Sequence, residues 1–214
     1  MMRKIERENT GFLHAGQDLV VAGYAGLAGT VKLAEAEQEK LSRWFSGEYM
    51  EEIAGCSRYL LREASLPESE NPETHAEDAP LCPVSPEFWK SCGAAEWEPA
   101  GEGGILTAIW NLTGAYETGV EFYLRQIPIR QEAVEVCERL ELNPYRLYSA
   151  GCVLLTADNG GQLVRTLAEK NIPAQVIGRV NKGIAREMIV QEGRGFLERP
   201  QPDEITKVIP GFFD

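Results

Sequence analysis

The stretch EPAGEGGILTAIWNL, Glu98 to Leu112, places two glycines at the mouth of an apolar helix with a carboxylate beside them. Gly101, Gly103 and Gly104 let backbone amides approach a ligand closely, and a helix N-terminus attracts phosphate. Glu98 and Glu102 could add proton-transfer or ligand-positioning chemistry. The same glycines also suit a tight turn where a side chain would clash, and both readings stand at this point. A second glycine-rich connection, GYAGLAGT, carries Gly23, Gly26 and Gly29. It is no P-loop, because no Gly-Lys-Ser/Thr follows, and it does not fit G-x-G-x-x-G. Ser149 and Gly151 form a third small-residue segment before an apolar run, with no histidine nearby in sequence to make Ser149 a nucleophile. Arg125 and Arg130 flank IPI and could meet an acidic partner or a phosphate.

These candidates must be held by a regular scaffold, and the chain alternates accordingly. Asp18–Gly23 (DLVVAG) reads as a buried strand, followed by a helix over Val31–Phe45 with Thr30 as its cap. EYMEEIAGCSRYLLREA reads as a second helix. Residues 65–86 are rich in proline, glutamate and serine, which marks an exposed excursion. Organised sequence resumes at Phe88. Ile105, Ala108, Ile109, Leu112 and Tyr116 recur at helical spacing, so the helix opened by the glycine pair has one buried stripe. VEFYL is a strand, and Val134, Cys137 and Leu140 mark the next helix. CVLLTA is a strand; Asp158 or Asn159 can cap the helix after it, whose face is Leu163, Val164, Leu167 and Ala168. Asn171 suits a left-handed terminating position. AQVIGRV and REMIV are expected to be antiparallel neighbours joined through NKGIA. The order implies an α+β domain, a layered α/β/α sandwich with a mixed sheet, over residues 1–214.

Composition narrows the function classes. With 33 acidic and 21 basic residues the formal charge is −12, which opposes nucleic-acid and anionic-membrane binding. No apolar run approaches the length of a bilayer span and the N-terminus resembles no signal peptide, so a cytoplasmic location is expected. Five cysteines without a C-x-x-C pair suit buried packing, as read for Cys137 and Cys152. Two histidines without ligand spacing suggest no metal site, and no cofactor is expected.

The run GGILTAIWNL followed by IPIRQEAVEVCERLELNPYRLYSAGCVLLTADNGGQLVRTLAEKNIPAQVIGRV resembles the C-terminal domain of the AIR synthase superfamily. That group includes aminoimidazole ribonucleotide synthetase, selenophosphate synthetase, thiamine-monophosphate kinase and the hydrogenase-maturation carbamoyl dehydratase. GQDLVVAGYAGLAGTVKLAE is similar to the opening of the same domain. The resemblance implies a two-domain enzyme whose N-terminal domain carries the metal and ATP ligands, with the C-terminal domain closing over the nucleotide. About ten residues precede Gly11, so that first domain is expected to be absent. The relatives present an acidic residue before the paired glycines; Glu98 and Pro99 stand there, and proline can neither take a proton nor ligate a metal. The terminal GFFD lacks the cysteine tail of the hydrogenase-maturation enzyme.

The expectation is a domain without catalytic residues of its own, with Glu98, Gly101, Glu102, Gly103, Gly104, Ser149 and Gly151 as cleft-facing ligand candidates. It would act as a binding or assembly module, as a homo-oligomer or with a separately encoded nucleotide-binding domain, and take a small phosphorylated ligand. The alternative is half of a split ATP-dependent enzyme completed by that second domain.

Overall fold

A computed structural model describes residues 13–62 and 86–214. Apart from Pro86, the expected excursion lies outside the described residues, as do Cys82 and His75. Seven strands form one mixed sheet: β1 Asp18–Ala22, β2 Glu96–Pro99, β3 Gly119–Tyr123, β4 Val153–Ala157, β5 Ala174–Asn181, β6 Arg186–Val190 and β7 Gly193–Phe196. Their spatial order is β2-β4-β1-β5-β3-β6-β7. All pairings are antiparallel except β3 with β6.

The uninterrupted apolar run of β1 is explained by its central place, because both of its faces are buried. Leu19 and Val21 join Leu154, Phe122 and Ile177 beneath α5, Gly104–Ala115. Val20 and Ala22 join Val153, Leu155 and Ala157 beneath α4, Pro86–Ser91, and α7, Gly160–Glu169. Helices on both faces make the sandwich. A third cluster joins α1 (Leu27–Ala36), α3 (Gly47–Ala54) and α6 (Gln131–Leu140), with Leu41 from the single-turn α2 (Gln38–Leu41) and Ile205 from the C-terminal segment. Away from the centre the sheet is only half covered: every residue of β6 is partly exposed, and Phe196 on β7 is 70% exposed.

Several elements depart from the sequence reading. The first helix begins at Leu27 and not Val31; Gly26 is its N-cap, and Thr30 lies within the first turns, its hydroxyl donating to the Gly26 carbonyl at 2.8 Å. It breaks at Glu37, so the expected single helix to Phe45 is two. The second helix ends at Ala54 and tightens into a 3-10 turn over Gly55–Tyr59. On α6 the buried face is Ala133, Val136, Cys137 and Leu140, whereas Val134 is 46% exposed. Ala168 is likewise exposed on α7.

β5 and β6 run in opposite directions, yet β3 lies between them. Residues 182–185 need cross only two strand spacings, about 9.5 Å, which four residues reach with ease. Gly178 lets β3 approach closely, since any side chain there would strike the backbone of Glu121 and Phe122.

Candidate functional site

The candidate loops gather at one end of the sheet, where β1 and β2 finish and β4 and β5 begin. A backbone network joins them: Ala100 N–H donates to the Cys152 carbonyl at 2.9 Å, Ser149 N–H to Gly101 at 3.1 Å, and Leu61 N–H to Gly151 at 3.2 Å. Gly23 N–H reaches Pro173 at 2.8 Å, which brings the α7–β5 connection alongside. Gly101, Gly103, Gly104 and Ser149 are thus one cluster, while Gly151 faces Leu60 and Leu61 at its border.

The glycine mouth holds an anion, and the anion is the protein's own. Gly103, at φ 77°, is the N-cap of α5, and its amide donates to Asp203 Oδ2 at 2.6 Å. Asp203 Oδ1 accepts from the amides of Tyr148 at 3.0 Å and Ile205 at 2.9 Å. This carboxylate is 1% exposed. Burial pushes its pKa above the ordinary aspartate value; the three amides pull it down, and the nearby charge of Glu102 adds to the rise. Gly104 answers to sterics as well: at φ 68°, a Cβ would stand 2.5 Å from the Tyr145 carbonyl oxygen.

The N-terminus of α1 is closed in a parallel way. Gly26 N–H donates to Ser149 Oγ at 2.8 Å, and that hydroxyl donates to the Leu147 carbonyl at 2.7 Å. Ser149 is wholly buried, with its proton committed to the Leu147 carbonyl. The hydroxyl is a strut between two loops.

The two glutamates stand apart. Glu98 is half-buried on β2, opposite Leu154, and Glu102 is exposed at the rim. Pro99 ends an edge strand, the one place in a sheet where a missing N–H is tolerated. The expected loop before the glycines is therefore in part a strand.

Arg130 meets an acid: its guanidinium holds Glu132 through two hydrogen bonds, at 2.6 and 3.1 Å. It also lies 4.0 Å from the centre of the Tyr59 ring and 5.6 Å from that of Tyr24. Burial drives the Glu132 pKa upward, but the hydrogen bonds from Arg130, from its own backbone amide and from Cys56, with the charge of Arg130, together outweigh it and leave the carboxyl below its usual range. Arg125 is exposed. Burial, with Glu132 close by, pushes the Cys56 thiol up to about 11, and burial pushes Cys137 up to about 12. Neither is a nucleophile near neutral pH. Cys56, Cys92, Cys137 and Cys152 are all buried and reduced. Among the described residues no group of three or more His, Cys, Asp or Glu side chains is placed to hold a metal ion. Nor, among them, is any helix long and apolar enough to cross a membrane.

Residues 96–191 match the family model of the AIR synthase related protein, C-terminal domain. The match runs from β2 to the end of β6, a little under half of the chain. No curated protein matches the sequence. Among solved structures, E. coli HypE, a hydrogenase maturation protein, superposes with a TM-score of 0.65 at 18% identity, over 94% of this chain and 55% of its own. A chain of the HypE–HypF complex gives 0.61 at 15%, over 88% and 54%. AaThiL complexed with AMPPCP and TMP gives 0.51 at 15%, over 82% and 48%. These likenesses establish the shared α+β fold, and the chain spans about half the length of each structure.

Proposed function

We propose that the chain works as a binding or assembly module of the AIR synthase-related C-terminal type, engaging a protein at the end of the sheet where the glycine loops gather. Gly101 and Glu102 form the contact rim, with Glu98 on the adjacent edge strand; Gly103, Gly104, Ser149 and Gly151 hold that rim in shape. The observation that carries this reading is the internal closure of both helix N-termini. Asp203 and Ser149 take the amides that an anionic substrate would otherwise use, which leaves a rigid surface in place of an open cradle. HypE is found in a complex with HypF, which supports docking by a domain of this shape. The occupant is a second copy of the chain or a nucleotide-binding domain, and the module acts in the cytoplasm.

Light scattering over a wide concentration range tests this. A dimer, or a stable complex with a supplied nucleotide-binding domain, is expected, and Glu102→Arg should weaken it while leaving the fold intact. A strict monomer that binds no such domain overturns the reading.

A second reading is favoured by one likeness: HypE solved with ATP superposes at a TM-score of 0.58 and 15% identity over 90% of this chain and 53% of its own. Here the chain supplies half of an ATP-dependent enzyme. ATP turnover that appears only when the nucleotide-binding domain is added would support it; a tight complex without turnover would favour the assembly module.

A further inference from the structure

Beside the closed mouth lies an open cavity. It measures about 730 Å³ and sits between the 3-10 turn of Gly55–Tyr59 and the α7–β5 connection, within the usual range of small-molecule sites. Arg58, Lys170, Tyr24 and Tyr59 line it together with apolar residues that include Leu61 and Ile172. Among the described residues, no aspartate or glutamate lines it.

The two cations are available. Among the described residues neither Arg58 nor Lys170 has a carboxylate partner; Arg58 donates to the Tyr59 hydroxyl at 3.0 Å, and the Lys170 ammonium lies 5.7 Å from the centre of the Phe88 ring. The wall behind them is fixed. Tyr59 lies under the guanidinium of Arg58 at 4.7 Å and that of Arg130 at 4.0 Å, and Arg130 is itself locked to Glu132. Such bracing leaves less motion to be lost when a ligand binds. Asn171, at φ 59°, turns the chain at the cavity edge and sends Ile172 inward, where it is 3% exposed.

We propose that this cavity binds a phosphate monoester of a small apolar or aromatic molecule. Arg58 and Lys170 take the phosphate, whose charge of about −1.5 to −2 at neutral pH matches two unpaired cations. A carboxylate would leave one cation uncompensated. Leu61, Ile172 and the tyrosine edges receive the organic body. The site stands whether or not a protein docks at the neighbouring rim.

Phenyl phosphate is the probe, titrated calorimetrically into the full chain, with phenol and benzoate as comparators. Phenyl phosphate should bind at least tenfold more tightly than either. Arg58→Ala and Lys170→Ala should each weaken it about tenfold or more, the effect of losing a charge-assisted hydrogen bond, without moving the unfolding midpoint. Ala168→Trp, on an exposed lining position of α7, should block the cavity. Absence of binding, benzoate binding as tightly as phenyl phosphate, or affinity indifferent to both cation substitutions would overturn the proposal.

Discussion

Two concave places share one end of the sheet and were resolved in opposite ways. At the mouth of α5 the donors are backbone amides, fixed in position, and a buried side chain of the same polypeptide satisfies them. In the neighbouring cavity the donors are the side chains Arg58 and Lys170, and among the described residues no carboxylate answers them. Glycine-rich helix starts attract attention in a sequence because they can hold anions. Here that capacity is used for cohesion, and the capacity for a foreign anion lies with two unremarkable surface cations.

The contrast breaks most readily at Asp203. Replacing it by alanine leaves three amides without their acceptor, each worth roughly 1–3 kcal/mol when buried. Because such losses overlap, a total of about 3–5 kcal/mol is expected, or a fall of ~10 °C in melting temperature for a chain of this size. Asp203→Asn, which keeps one oxygen, should lose less. Urea denaturation checks both, and an unchanged midpoint in the alanine variant would mean that the mouth is not held shut by this residue.

Ser149→Ala comes next. It strips Gly26 of its acceptor and should destabilise by about 2 kcal/mol, with no gain or loss of phenyl phosphate affinity in the neighbouring cavity. A coupled loss of affinity would show the two places to be one site.

The pH profile gives a smaller and more discriminating effect, because the two carboxylates titrate with opposite sign. Asp203 has its folded pKa above the ordinary value, so the folded state binds more protons and its contribution is lost as pH rises through that raised pKa. Glu132 has its folded pKa below the ordinary value, so its contribution is present above that value and lost as pH falls through the lowered one. Stability measured between pH 3 and 6 should therefore lose its decline above pH 4 in Asp203→Asn and its acid-side drop in Glu132→Gln. Curves that remain parallel to the unsubstituted protein would refute the assignment of either group. The smallest effect is expected for Arg58→Ala, whose unfolding midpoint should match the parent's, as for an exposed side chain away from the core.

Much of the scaffold was legible because its signals are local. The α5 stripe of Ile105, Ala108, Ile109 and Leu112 is buried as its spacing implies, Asn159 caps α7 by accepting from Gln162, and Asn171 adopts the left-handed conformation its side chain tolerates. What failed was long-range. Nothing in NKGIA says that the chain steps over β3, since the same residues suit a hairpin. β2 escaped notice because four residues containing a proline make a weak strand signal, and only pairing with β4 confers the conformation. Around the mouth, the glycines and the small residues at Ser149–Gly151 stand out in the sequence, whereas Asp203 does not. Its position before Glu204 marks it as a cap for a local turn; its grip on Gly103 spans a separation that no periodicity reports.

That separation has a bearing on how the chain is made. Gly103 and Asp203 are 100 positions apart, so a ribosome working at about 5–20 residues per second needs roughly 5–20 seconds between the two. During that interval the first turn of α5 must borrow water as its acceptor, until the segment that carries Asp203 arrives to cork it.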